Sequence, residues 1–301
     1  MSRLPFDHGW SRREVLTAGL GLACSPLLAA AEFSDIVYPG PESQLDSRND
    51  FYWVLLGAAL KRTAERFGPY RLRPSDMQMN GRRIMHELER GTIQIAARAT
   101  NPALEQQYLP IRIPLDKGML GYRVFLIRRE MQQKLDQVKT LEALRGFSIG
   151  QAETWIDVSI LRSAGFNVIT GATYEGLFGM LDARRFDLLC RSVIEAPVEL
   201  DERRNLLPDL AIEKQVLLYY PLPRYFFVRR TAQGELLARR VETGLNLMLA
   251  DGSFDKIFKN YLDPIEQRLQ LTKRRLFRIP NPELTPETPL DRKELWYNPL
   301  A

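Results

Sequence analysis

Cysteine and histidine are scarce: the 301 residues hold two of each. Cys24 and His8 lie in the first 31 residues, so beyond that point only Cys190 and His86 remain. One cysteine cannot close an internal disulfide, and one cysteine with one histidine cannot supply a common zinc site. A Ser-His-Asp triad would have to use His86. That residue sits in the helical pattern Arg82-Arg83-Ile84-Met85-His86-Glu87-Leu88, where a surface histidine is the plain reading. No run after residue 31 is long and apolar enough to read as a membrane span. Charge of one sign is also lacking. Lys and Arg are scattered among acids for a net charge of +5, and no basic stripe interleaved with aromatics appears, which argues against nucleic-acid binding.

What is present begins with an address. Arg12-Arg13 precedes a mildly apolar run from Val15 to Ala31, ending in Ala29-Ala30-Ala31. A basic segment, a short apolar stretch and a small-residue exit make a secretory signal, here of twin-arginine type. Residues 1–31 are therefore expected to direct export to the periplasm, with a soluble mature chain starting near Glu32. Removing Arg3, Arg12 and Arg13 against Asp7 and Glu14 takes the charge from +5 to +4. That small excess says little about partners.

The mature chain alternates strand and helix. Asp35–Tyr38, Tyr70–Pro74 and Ile93–Ala97 read as strands, and 50–67 and 80–90 as helices. This β-α-β-α-β order implies a parallel sheet covered by helices. A second such unit is expected over about 145–192, with Thr154 opening a helix at capping-box spacing to Asp157. Strands at 215–220 and 225–228 follow, then helices at 234–250 and 253–261, and a proline-rich tail from Pro264. Two α/β units predict two lobes with a cleft beyond the carboxyl ends of their strands.

The ordered set Gly91-Thr92-Ile93-Gln94-Ile95-Ala96-Ala97, Leu120 to Ile127, Leu141 to Gly146, Gly176 to Phe178, Arg185 to Asp187 and Leu245 to Phe254 resembles the type II periplasmic solute-binding proteins. The similarity is to family 3, the amino-acid receptors of ABC importers, and covers most of residues 35–262. It implies an α/β, two-lobed fold with hinge strands. The implied boundaries are lobe one over 32–122, lobe two over 123–228, return helices over 229–263 and an extended tail over 264–301. It also implies non-catalytic capture of a small polar or anionic ligand, no cofactor, a monomer, and an ABC permease or membrane sensor as partner.

Two departures stand out. The family's Thr-x-x-Arg carboxylate clamp is broken, since Thr100 is followed by Asn101-Pro102-Ala103, leaving Arg98 as the substitute. The usual amine-holding Asp falls near Ser192, beside Arg191. The expected ligand contacts are Arg98, whose fork matches a carboxylate, Thr154 and Trp155 at a helix start, and Tyr174 at the next. Arg191 and Glu195 follow the last strand of the second unit, and Tyr38, Arg48 and Phe51 follow the first strand of the chain. Two other readings remain open: a dehydratase-like enzyme using Glu153, Glu175 or Glu195, and an accessory protein with a degenerate cleft whose tail docks a partner.

Overall fold

A computed structural model describes residues 34–44 and 46–300; the signal segment lies outside them. The strands are β1 (Ser34–Tyr38), β2 (Tyr70–Pro74), β3 (Ala96–Ala99), β4 (Leu109–Ile111), β5 (Tyr122–Arg128), β6 (Ser148–Ala152), β7 (Asn167–Gly171), β8 (Leu188–Ser192), β9 (Leu210–Ile212), β10 (Val216–Tyr219), β11 (Arg224–Val228) and β12 (Arg275–Arg278). The helices are α1 (Asp50–Arg62), α2 (Ala64–Phe67), α3 (Gly81–Arg90), α4 (Pro102–Gln107), α5 (Gln132–Leu135), α6 (Leu141–Arg145), α7 (Asp157–Ser163), α8 (Tyr174–Asp182), α9 (Ala196–Arg203), α10 (Ala232–Ala250) and α11 (Ser253–Leu269). Among the described residues no helix is long and apolar enough to cross a membrane.

The fold is mixed α/β. Near the chain's start, β1 pairs β2 in parallel, and β11 lies antiparallel between β3 and β4. Gln94 links these two pieces: its backbone N–H donates to Val37 O and its Oε1 accepts from Val37 N. The larger sheet runs β12-β10-β5-β8-β6-β7, with β9 also on β5. The chain passes between the sheets through the β4–β5 segment and back through 220–223, the prolines Pro221 and Pro223 keeping that return extended. Every residue of β5 is buried, as expected of a strand covered on both faces.

Local readings and structure part in several places. Helix 50–67 is interrupted at Thr63, whose hydroxyl bonds back to Ala59 O and Leu60 O, a competition that loosens helices. Thr154 caps nothing. Residues 153–155 make a turn instead, and α7 starts at Asp157 without a side-chain cap. Pro264 does not end α11, which continues to Leu269 because Phe254, Phe258, Leu262, Ile265 and Leu269 share one buried face. The chain from Pro264 is accordingly not a simple extended tail. After α11 it adds β12 in parallel to β10, with Leu217 opposite Leu276. Beyond β12, Asn281 Nδ2 donates to Pro221 O at 2.8 Å and Thr285 Oγ1 to Glu105 at 3.1 Å. Tyr297 N donates to Lys117 O at 2.8 Å. This last segment therefore lies against both segments that connect the two sheets.

Candidate functional site

A cavity of about 350 Å³ opens at the carboxyl ends of β1, β3, β6 and β8, where open α/β sheets place their ligands. Each strand end delivers chemistry because the chain turns there. The loop after β1 supplies Glu42, Asp46, Arg48 and Asn49; β3 supplies Arg98; the turn after β6 supplies Thr154, Trp155 and Asp157; β8 and its exit supply Arg191 and Glu195. Arg123, at the start of β5, and Arg224, at the start of β11, enter from the connecting segments. Met79, Ile84, Met85, Leu104, Leu120 and Ile156 supply the apolar part of the wall, beside Arg82 and Asn101.

The guanidiniums are mostly committed. Arg48 pairs with Asp46 at 2.6 Å and Glu42 at 2.9 Å, and stands 3.6 Å over the Tyr174 ring. Burial alone lowers a guanidinium pKa, but the bonds to Asp46 overcome it and hold Arg48 above its ordinary value. Arg191 pairs with Glu199 at 2.7 Å and Glu195 at 2.9 Å and lies over Trp155 at 4.3 Å. Arg123 pairs with Asp157, and its Nε donates to Tyr220 OH at 2.7 Å, which in turn donates to Asp157. Arg224 donates to Asn49 at 2.7 Å and pairs with Glu195 at 3.3 Å. Burial pushes a carboxyl up, yet Arg191, Arg224 and Arg123 together hold Glu195 down at about 2.

Arg98 differs. Among the described residues it has no acid partner, and its buried Nε has no hydrogen-bond partner. Burial, and then the nearby charges of Arg224 and Arg48, lower it to about 10. Its guanidinium lies against Gly81 at the N-terminus of α3, the positive end of that helix. Thr100, which begins the broken clamp, is withdrawn. Its hydroxyl donates to Glu105 at 2.5 Å, and Glu105 in turn holds Arg112 at 2.6 Å.

Of the residues singled out by sequence, Arg48, Arg98, Thr154, Trp155, Arg191 and Glu195 are brought together on the cavity wall. Tyr38, Phe51 and Tyr174 are not. Tyr38 stacks on Trp53 at 4.5 Å, Phe51 stacks on Tyr261 at 4.4 Å, and buried Tyr174 donates to Glu199 at 3.0 Å. Phe51 and Tyr174 are buried in the core and Tyr38 packs half-buried against it. Sequence reasoning missed Arg123, Asp157 and Arg224. The one sequence signal for Arg224 is its place after Pro221-Leu222-Pro223, a connecting segment. Polar contacts also join the loop after β1 and the start of α3 to the second α/β unit and α9: Ser43 to Glu175 at 2.7 Å, Ser47 to Glu202 at 2.6 Å and Arg82 to Glu153 at 3.6 Å.

No family model and no curated protein matches this chain. Solved structures do. An ancestral arginine-binding protein bound to arginine is 18% identical, with a TM-score of 0.54 over 77% of this chain and 99% of that one. The fold is that of the type II periplasmic binding proteins. A Salmonella typhimurium periplasmic binding protein of high arginine specificity shares this binding-protein fold at 15% identity, TM-score 0.54, covering 75% and 98% of the two chains. A histidine kinase sensor domain with similarity to periplasmic binding proteins does so at 18% identity, TM-score 0.51, covering 76% and 96%. The α/β, two-lobed architecture read from the sequence agrees with this fold.

Proposed function

We propose that the protein is an exported solute-binding protein that captures a small anionic ligand in the cavity between its lobes. The observation that carries the reading is Arg98: a guanidinium without an acid partner among the described residues, on the wall of a cleft at strand carboxyl ends. Arginine forks bind carboxylates bidentately, and a partly desolvated site strengthens that bond. In this reading the chain crosses between lobes in the β4–β5 segment and at residues 220–223, and closure about these crossings encloses the ligand. Residues 1–31 direct the chain to the periplasm by the twin-arginine route. The bound protein delivers its ligand to an ABC permease or reports it to a membrane sensor, as a monomer and without turnover. The neighbours that bind amino acids or sense signals on this fold support both destinations.

The test is thermal denaturation of the purified protein against a broad metabolite panel, since a ligand of the folded state stabilises it by mass action. At 100 times its Kd a ligand adds about 2.7 kcal/mol. At least one anion is expected to raise the Tm, and Arg98→Gln to remove that rise while leaving the unliganded Tm nearly unchanged. A panel without any shift overturns the reading. A compound that is bound and then consumed overturns the non-catalytic part of it.

A further inference from the structure

The cavity wall is asymmetric in which of its charges are free. Among the described residues Arg98 has no carboxylate at ion-pair distance and its Nε has no hydrogen-bond partner, with Glu42 acting on it only through space. Every carboxylate on the wall, by contrast, is already engaged: Glu42 and Asp46 by Arg48, Asp157 by Arg123, Glu195 by Arg191 and Arg224. An α-amino acid needs both signs, an arginine for its carboxylate and an acid for its ammonium.

Glu195 is the one acid with spare bonding capacity, since its Oε2 accepts no well-aligned hydrogen bond. Yet Arg191, Arg224 and Arg123 stand 2.9, 3.3 and 3.9 Å from its oxygens. An ammonium placed there meets three like charges at short range in a partly dry site, where repulsion is least screened. Taking Asp157 instead would strand buried Arg123 without its counter-ion, which is costly in an interior. For the ligand's body the wall offers an apolar patch of Met79, Ile84, Leu120 and the Trp155 ring, bordered by the polar side chains of Asn49, Asn101 and Thr154.

We propose that this cleft selects a monocarboxylate with an apolar body and no α-ammonium group, its carboxylate held by Arg98 beside the N-terminus of α3. The inference rests on the solute-binding reading and narrows it. It sets the site apart from one that clamps an amino acid at both ends, because the second clamp is already filled by the protein's own arginines.

The experiment is calorimetric titration of the full chain with probe pairs that differ only in the ammonium: 4-methylpentanoate against leucine, and 3-phenylpropanoate against phenylalanine. The desamino member of at least one pair is expected to bind ten-fold or more tightly than its partner. Arg98→Gln should weaken that binding at least ten-fold, and Arg98→Lys should restore part of it. Amino acids that bind as tightly as their desamino partners overturn the inference and leave the solute-binding reading standing. The same holds if neither pair binds while the metabolite panel finds a ligand of other chemistry. Silence from both the pairs and the panel sinks the two readings together.

Discussion

Gly81 lies directly against the Arg98 guanidinium: a Cβ on residue 81 would stand 2.7 Å from Arg98 Nη2 and 3.0 Å from Nη1. Glycine in the first turn of α3 is thus part of how Arg98 reaches the cavity. Alanine at a helix start is ordinarily neutral to favourable, and the clash is with the far end of a flexible side chain. Gly81→Ala is therefore expected to leave the folding stability within about 1 kcal/mol of wild type while weakening anion binding ten-fold or more. Melting curves and titrations on one preparation check both halves. Equal affinity in the variant would show that Arg98 does not hold the ligand.

Glu195 ties Arg191 to Arg224, and through them β8 to β11. Removing one partner of a buried ion pair costs about 3 kcal/mol or more, so Glu195→Gln should be strongly destabilising near neutral pH. The pH dependence follows from the sign of the shift. A carboxyl held at about 2, against an ordinary 4.5, contributes stability that is present above 4.5 and lost as pH falls toward 2. Urea denaturation at pH 6.0 and pH 3.5 should show the gap between wild type and variant narrowing at the lower pH.

Asp116 behaves in the opposite sense. Burial pushes it up to about 6, although Arg224 and the bonds from Tyr52 OH at 3.0 Å and Gly118 N at 3.1 Å favour the charge. A carboxyl raised from 3.8 stabilises the fold below about 4, and that stability is lost as pH rises through about 6. Asp116→Asn keeps one acceptor and carries no charge. Its stability relative to wild type should increase by about 2 kcal/mol between pH 4 and pH 7, as read from urea midpoints at the two pH values. A constant difference would place the Asp116 pKa near its ordinary value.

The last segment of the chain is held at the 116–118 turn. Gly118 has φ +79, and a Cβ there would lie 2.4 Å from the Trp296 ring. Trp296 also donates to Pro289 O at 2.7 Å. Trp296→Ala should cost roughly 2–3 kcal/mol, short of the fully buried range because the ring is half-buried. Gly118→Ala should cost about 2 kcal/mol from strain and crowding. Combined, the two should be less than additive, since removing the indole relieves the clash. Full additivity in a double-mutant cycle would show that the ring does not pack on this turn.

The order of strands and helices was legible because it depends on neighbours in sequence. Turn glycines such as Gly91, apolar runs such as 122–127 and the polar faces between them act over a few residues. The same locality misled at Pro264, where a proline reads as a stop but the buried face of α11 carries the helix on to Leu269. It misled again at Thr154, where good capping spacing loses to a turn at 153–155. Strand β12 was not legible at all, because its partner β10 lies 59 residues away in register and supplies its pairing only in three dimensions.

By itself, then, the sequence determined an alternating α/β chain with an arginine at the end of β3 and a family clamp broken after Thr100. Only the tertiary structure decided which charges in the cleft are free. An ion pair forms where side chains meet in space, and Arg123 meets Asp157 and Arg224 meets Glu195 across separations that no local pattern encodes. Those meetings neutralise the acids and leave Arg98 alone, and that imbalance is a property of the assembled cleft.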